Sequence, residues 1–273
     1  MAQQPPDRRF GNLGLRLKTA AALLPPVFLA VWFGSPWFDI CLIAAAGTMA
    51  WEWARICSYG TFGLMGWLME AAIAVVLLSH YLGGISVSPA VMIGASAAIA
   101  AAAMFRRPRH PGFFAAGIVL IGLFCIAFLW LRAYPDHGLA LVIWLGGAVW
   151  LTDTGAYLAG KTVGGPKMAP RISPNKTWAG MAGGALAAVL WSAGWLAWYG
   201  GVALLPYALV AAGVAVLAQA GDLSVSVAKR RFGVKDSSNL IPGHGGVLDR
   251  LDGMLLTGPA VVLVLLAANK GWV

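Results

Sequence analysis

Residues 112–131 read GFFAAGIVLIGLFCIAFLWL, a run of 20 residues without a charged side chain. A transmembrane helix needs about 20 predominantly apolar residues to cross the bilayer core. The rest of the chain is similar in character, because 60% of its 273 residues are hydrophobic and only 11% are charged, against about 25% charged in soluble proteins. This composition argues against a soluble enzyme, a disordered chain and a β-barrel, whose strands would alternate. The sequence predicts an all-α, polytopic integral membrane protein.

The apolar segments on either side of this run predict about nine transmembrane helices. They lie near residues 19–35, 37–55, 61–83, 86–105, 112–131, 138–158, 179–199, 202–220 and 253–269. The first two are the least regular, because Pro25 and Pro26 interrupt one of them and only Gly34-Ser35-Pro36 separates the pair. For these two segments, a re-entrant hairpin that does not cross the membrane is an open alternative.

The basic residues predict the orientation of the chain. With nine spans and a cytoplasmic N-terminus, 17 of the 19 lysines and arginines fall in inner segments, and only Arg132 and Lys270 fall outside. Cytoplasmic loops of membrane proteins carry such an excess, so the net charge of +9 indicates anionic headgroups and not nucleic acid as the neighbour. We expect a multi-pass protein of the inner (cytoplasmic) membrane whose functional loops face the cytoplasm.

The charged residues of the second half concentrate in two cytoplasmic stretches, residues 160–178 and 221–252. These stretches and their edges hold 9 of the 19 basic residues and half of the ten acids, namely Asp153, Asp222, Asp236, Asp249 and Asp252. Charge beside a bilayer is costly without a role. We therefore divide the chain into a scaffold of N-terminal helices, residues 1–150, and a unit of C-terminal helices with catalytic loops, residues 151–273.

The stretch 221–252 has the residue types of a metal and phosphate site. If residues 222–232 are helical, four polar side chains at i, i+4, i+7 and i+8 share one face: Asp222, Ser226, Lys229 and Arg230. Carboxylates at facing helix ends among Lys and Arg suit a Mg²⁺–polyphosphate complex, in which the acids hold the metal and the bases hold phosphate oxygens. The alternative is a set of ordinary juxtamembrane ion pairs and helix caps.

Other polar residues stand out against the apolar spans. Asp153 ends an apolar run and is a functional candidate by its position alone. The segment Ser173-Pro-Asn175-Lys176-Thr177 offers hydroxyls, an amide and an ammonium just before a predicted helix start, which suits an anion or a nucleotide. Glu52 is an intramembrane acid between two tryptophans; it either lines a polar cavity or has only a structural role.

One long motif resembles a family signature. The motif runs Ser226-x2-Lys229-Arg230-x4-Lys235-Asp236-x-Ser238-x2-Ile241-Pro242-x-His244-Gly245-Gly246-Val247-x-Asp249-Arg250-Leu251-Asp252. It resembles the signature of the phosphatidate cytidylyltransferases, or CDP-diacylglycerol synthases, and residues 153–157 and 173–178 resemble two further family segments. Ala228 and Ala179 depart from the family pattern, so position 179 is left out of the site. The resemblance implies the reaction of CTP with phosphatidate to give CDP-diacylglycerol and pyrophosphate.

The resemblance, together with side-chain chemistry, assigns roles to individual residues. The expected catalytic set is Asp222, Ser226, Lys229, Arg230, Lys235, Asp236, His244, Asp249, Arg250 and Asp252. The expected metal ligands are Asp222 and Asp249, with Asp252 as a further ligand. The expected substrate-binding set is Asp153, Lys161, Ser173, Asn175, Lys176 and Thr177. The cofactor is expected to be Mg²⁺, a second cation stays open, and the resemblance implies CTP, phosphatidate and membrane lipids as partners, no nucleic acid, and a homodimer.

Other functions use similar parts. A CDP-alcohol phosphotransferase or a polyprenol-phosphate transferase is also membrane-bound and metal-dependent, but the former should carry a compact array of acids around an Asp-Gly…Ala-Arg stretch that we do not find. A transporter should repeat its midplane polar groups in two halves, whereas here they crowd one half. A CTP-dependent lipid kinase is distinguished by its product, because it releases CDP instead of pyrophosphate.

Overall fold

The structure is a computed structural model that describes residues 13–106, 110–199 and 204–269. The helices are α1 (Leu13–Phe33), α2 (Trp37–Cys57), α3 (Gly63–Arg106), α4 (Pro111–Arg132), α5 (Gly138–Thr162), α6 (Trp178–Tyr199), α7 (Leu204–Arg231), α8 (Leu248–Leu251) and α9 (Met254–Asn269). Two short strands, β1 (Lys167–Ala169) and β2 (Ser173–Thr177), pair antiparallel between α5 and α6. The predicted all-α architecture is confirmed, and the hairpin is a small addition that the sequence pattern does not predict.

Each of the nine predicted apolar segments overlaps a helical segment, and residues 202 and 203 of the segment 202–220 lie outside the described residues. Two of them, 61–83 and 86–105, form the two arms of α3, which is bent at Gly84 with φ 63° and ψ −161°, a conformation suited to glycine. Among the described residues, six helices are long and apolar enough to cross a membrane: Trp37–Cys57, Gly63–Phe105, Pro111–Arg132, Gly138–Thr162, Trp178–Tyr199 and Leu205–Arg231. Leu17–Phe33 and Met254–Ala268 are shorter apolar helices. The protein is therefore a polytopic helical membrane protein.

Parts of the topology prediction stay untested. The nine crossings and the cytoplasmic N-terminus stay predictions, as does the re-entrant alternative for the first pair of segments. Residues 1–12, which include Arg8 and Arg9, and residues 107–109 lie outside the described residues.

The uncharged run 112–131 forms α4, which lies at the centre of the helical core. Its side chains Phe114, Ile118 and Ile121 are almost fully buried, and the helix packs against α2, α3 and α9. Next to it, α5 and α6 approach closely through small residues, as helices in membranes often do. A Cβ atom at Gly155 would lie 2.7 Å from the Gly183 carbonyl oxygen. This close packing holds Asp153 of α5 beside the strand β2 that leads into α6.

The helix α7 extends well beyond the predicted span 202–220. It continues to Arg231, because Val225 and Ala228 are fully buried and keep this part of the helix against the core. The structure therefore confirms that residues 222–230 are helical, which puts Asp222, Ser226 and Lys229 on one face of α7. The segment Ser173–Thr177 does precede a helix, as predicted, but it forms the strand β2 and not an irregular loop.

Candidate functional site

The two polar stretches of the second half meet in the structure. Lys176 of β2 forms an ion pair with Asp222 of α7, with 2.6 Å between Nζ and Oδ2, and Ser226 donates a hydrogen bond of 3.2 Å to Asp222 Oδ1. Lys176 Nζ also donates to the Gln219 carbonyl oxygen at 3.4 Å, and the Gln219 amide donates to Asp153 Oδ1 at 3.5 Å. A continuous polar network therefore links α5, β2 and α7.

This network contains three carboxylates whose negative charges repel one another, those of Asp153, Asp222 and Asp252. Burial and the negative charges of Asp222 and Asp153 raise the pKa of Asp252 to about 7, although Lys229 opposes the shift. The close approach requires Gly221, because a Cβ atom there would collide with the Asp252 carbonyl oxygen. A cation between these acids would relieve their mutual repulsion.

The protein side chains alone do not complete a Mg²⁺ coordination shell. Within residues 13–106, 110–199 and 204–269, no three His, Cys, Asp or Glu side chains form a group that would hold a metal by itself. Mg²⁺ is usually bound by one or two carboxylates and completes its shell with water and substrate phosphates. Asp222 and Asp252 provide such a pair of carboxylates, so the residues present fit a Mg²⁺ ion that the substrate helps to hold.

Asp249 has different surroundings from the other two predicted metal ligands. Its Oδ1 accepts a hydrogen bond of 2.7 Å from Lys229 Nζ, and its Oδ2 accepts from the backbone N–H of Ser237 at 2.8 Å and of Gly246 at 3.0 Å. Burial alone would raise the pKa of Asp249, but these hydrogen bonds and the Lys229 charge outweigh it and lower the pKa. Two of these donors are backbone N–H groups, which cannot turn away as the side-chain donors of Asp222 can. The contacts of Asp249 therefore favour a role in holding Lys229 and the loop over direct metal binding.

Some of the other predicted catalytic side chains form hydrogen bonds within the protein, and others are exposed to solvent. Arg230 donates to the carbonyl oxygens of Ile172 and Val234, so it ties α7 to the hairpin. Lys235, Asp236 and Arg250 are exposed, and Arg250 lies close enough to Asp153 for their charges to interact. His244 is partly exposed, but its Nδ1 is buried without a hydrogen-bond partner among the described residues. The open side chains are available to a ligand.

The predicted substrate-binding residues differ in their exposure and in their distance from the Lys176–Asp222 ion pair. Asn175 is exposed and Ser173 is partly exposed on β2 beside Lys176. Thr177 is buried, and its Oγ1 accepts a hydrogen bond of 3.0 Å from the Gly180 N–H, so its visible contact stabilises the start of α6. Lys161 is exposed in the last turn of α5 and lies over the Tyr157 ring at 5.7 Å. Among the described residues, Lys161 forms no hydrogen bond or ion pair with the Lys176–Asp222 network.

Two residues outside the predicted set belong to this region. Gln219 bridges Lys176 and Asp153, as described above. It is a polar residue inside the predicted apolar span 202–220, and this feature of the sequence could have identified it as a candidate. Glu52 of α2 is fully buried and accepts hydrogen bonds from four groups of the loop: Ser237 Oγ, Ser238 Oγ, Val247 N and Leu248 N. The helix α2, which lies in the predicted scaffold 1–150, therefore contributes a side chain to the region of the site.

Comparisons with known proteins bear on the chemistry of this site. Residues 14–268 match the model of a family described as the Cytidylyltransferase family. The chain is 36% identical over 263 residues to a phosphatidate cytidylyltransferase of Brucella suis biovar 1, with 94% of each chain covered. It is 35% identical over 271 residues to a phosphatidate cytidylyltransferase of Pseudomonas aeruginosa, which covers 94% of this chain and 98% of the relative. The similarity thus extends far beyond the signature motif into the N-terminal helices.

Proposed function

The chain belongs to the cytidylyltransferase family, and we propose that its active site lies where Asp222, Asp252 and Lys176 meet. Its activity is the transfer of the cytidylyl group of CTP to phosphatidate, which yields CDP-diacylglycerol and pyrophosphate. The observation that carries the location is the ion pair between Lys176 and Asp222, because it joins the two polar stretches into one site.

The reaction needs charge neutralisation more than a strong base. An oxygen of the phosphatidate phosphomonoester, already anionic at neutral pH, attacks the α-phosphorus of CTP. A new P–O bond forms there, the bond from the α-phosphorus to the oxygen that bridges to the β-phosphorus breaks, and pyrophosphate leaves with the electron pair. The obstacle is the approach of two anions, which preorganised positive groups reduce.

The basic side chains of the site supply this positive charge. Lys229 reaches the carboxylate cluster while Asp249 holds its ammonium at 2.7 Å. Lys235 and Arg250 are exposed and bind phosphate oxygens. Arg230 is also exposed, and it binds a phosphate oxygen with the N–H groups that do not donate to Ile172 and Val234. Lys176, now paired with Asp222, binds a phosphate oxygen when the nucleotide enters, which frees the Asp222 carboxylate.

The polar side chains orient the two substrates. Ser226, which hydrogen-bonds Asp222, and His244, whose Nδ1 lacks a partner among the described residues, are placed to position the reacting phosphates. Ser173 and Asn175 on β2 hydrogen-bond the nucleotide or the lipid phosphate next to Lys176. Asp222 and Asp252 would hold Mg²⁺, with Asp153 beside them, and the bound ion supplies charge neutralisation of the triphosphate.

The proposed site faces the cytoplasm of a bacterial inner membrane. Its residues lie in the C-terminal parts of α5 and α7 and in the stretches 160–178 and 221–252, where 9 of the 19 basic residues are found. The positive-inside rule supports this face, which is also where CTP is available to an enzyme. The homodimer implied by the resemblance stays a prediction.

Substitution of the two proposed metal ligands tests the location of the site. Asp222→Asn and Asp252→Asn should each lower the rate of CDP-diacylglycerol formation by about 100-fold or more, because charge stabilisation of the transition state is the main contribution. Asp136→Asn is the control, since Asp136 is exposed in the loop between α4 and α5. Rates for the two variants near that of the control would show that the reaction takes place elsewhere in the chain.

A further inference from the structure

Glu52 is a buried acid in the middle of the apolar side chains of α2. It is fully buried, and none of the described lysines or arginines forms an ion pair with it. Burying a carboxylate is costly unless its oxygens are hydrogen-bonded. Glu52 meets this requirement with groups of a loop that is far away in the chain: Leu248 N donates at 2.7 Å and Val247 N at 3.0 Å.

Two serine hydroxyls complete the surroundings of Glu52, and they differ in one respect. Ser238 Oγ donates to Glu52 Oε1 at 2.6 Å. Ser237 Oγ lies 3.1 Å from Glu52 Oε2 and also 3.0 Å from Asp249 Oδ2. A hydroxyl has one proton to donate, so Ser237 Oγ shares a single proton between the two carboxylates, and it lies between Glu52 and Asp249. The Ser238 hydroxyl contacts Glu52 but not Asp249.

Asp249 is therefore held by Glu52 through two routes. One route runs through Ser237, and the other runs through the backbone N–H groups of Val247 and Leu248, which directly precede Asp249 in the chain. Asp249 in turn holds the Lys229 ammonium at 2.7 Å. A displacement of Glu52 would thus be passed to the lysine that faces the carboxylate cluster.

The packing at Gly246 shows how tightly this arrangement is built. A Cβ atom at Gly246 would collide with both Ser237 Oγ and the Glu52 carboxylate. The backbone N–H of Gly246 donates to Asp249 Oδ2 at 3.0 Å. The loop can therefore approach both carboxylates only because this residue has no side chain.

We propose that Glu52 is a positioning residue for cytidylyl transfer. It holds the loop 237–248 so that Asp249 and Lys229 keep their place beside the Asp222–Asp252 pair. This inference rests on the proposed active site. It assigns to the N-terminal helices a direct influence on the chemistry of the C-terminal half.

The serine pair provides a matched test. Ser237→Ala and Ser238→Ala each remove one hydroxyl that hydrogen-bonds Glu52, but only the first removes the link to Asp249, and both keep their backbone N–H groups. Hydrogen bonds to charged groups are strong enough for a loss of about 10-fold or more in kcat for Ser237→Ala. We expect its KM for CTP to stay within about threefold of the parent value. Ser238→Ala leaves the contact between Ser237 and Asp249 in place, so we expect it to lose less kcat than Ser237→Ala.

The measurement is initial rate against CTP concentration in mixed micelles of detergent and phosphatidate, with the thermal midpoint of each purified variant recorded. Glu52→Gln should lose at least as much kcat as Ser237→Ala; if it fails to fold, the serine pair alone decides. Equal kcat in the two serine variants, or a raised KM with parental kcat, would overturn the positioning role. Asp222→Asn is assayed in parallel, and parental activity in that variant would refute the proposed active site without altering the serine comparison.

Discussion

Replacement of Lys176 by alanine separates phosphate binding from metal binding. The Lys176 ammonium lies 2.6 Å from Asp222 Oδ2 and the Lys176 side chain is 14% exposed, so solvent screens this charge only partly. A charge-assisted hydrogen bond contributes about 1.5–3 kcal/mol. If Lys176 makes such a bond to a substrate phosphate in the transition state, its loss lowers kcat/KM by roughly 10- to 150-fold.

The same substitution has the opposite effect on the metal. Without Lys176, Asp222 loses its cationic partner while Asp252 still lies beside it. The site becomes more negative and attracts a divalent cation more strongly. The Mg²⁺ concentration that gives half-maximal rate should therefore stay at the parental value or fall, whereas Asp222→Asn should raise it.

Initial rates over a Mg²⁺ titration measure both effects. The control variant is Lys167→Ala, because Lys167 is an exposed lysine on the neighbouring strand β1 of the same hairpin. A half-maximal Mg²⁺ concentration that rises several-fold in Lys176→Ala would refute the separation of roles. So would a rate for Lys176→Ala that equals the rate of the Lys167→Ala control.

Three further predictions concern packing, pH and orientation. Gly246→Ala forces a Cβ atom into the Glu52 carboxylate, so it should lower the thermal midpoint and the rate together; parental values of both would contradict this packing. The pKa of Asp252 is raised to about 7, so the folded protein binds this proton more tightly than the unfolded chain does, and the resulting stabilisation is lost as the pH rises through 7. In Mg²⁺-free buffer the thermal midpoint of the parent protein should therefore fall between pH 5 and 8 by more than that of Asp252→Asn. Equal falls in the two proteins would contradict this prediction. Asn239→Cys, exposed in the loop, should escape a membrane-impermeant maleimide in intact cells while Asp136→Cys reacts; the reverse would overturn the orientation.

The helical part of the fold could be predicted because it depends on local composition. Uncharged runs such as 112–131 are long enough to span a bilayer whatever surrounds them. The hairpin could not be predicted in this way, because β1 has only three residues and β2 only five. Strands this short carry no usable alternation of apolar and polar residues.

Helical spacing predicts only the contacts between candidate site residues that follow one another along one helix. Asp222 and Ser226 lie on one face of α7, as their spacing indicates. The same spacing argument is less useful for Asp249 and Asp252, because α8 ends at Leu251 and the two carboxylates have different partners. Glu52 is 185 residues from Ser237 in the chain, and no spacing rule predicts a contact over that distance.

Transfer of isotope from CTP tests the central claim of cytidylyl transfer at the Asp222–Asp252 pair most directly. The purified protein is incubated with phosphatidate, Mg²⁺ and CTP labelled either at the α- or at the γ-phosphorus, and lipid and aqueous phases are counted. The account predicts that the α-label enters the lipid, that the γ-label appears in pyrophosphate, and that Asp222→Asn slows both by about 100-fold or more. Entry of the γ-label into the lipid with release of CDP would contradict it, since that is the outcome of a kinase.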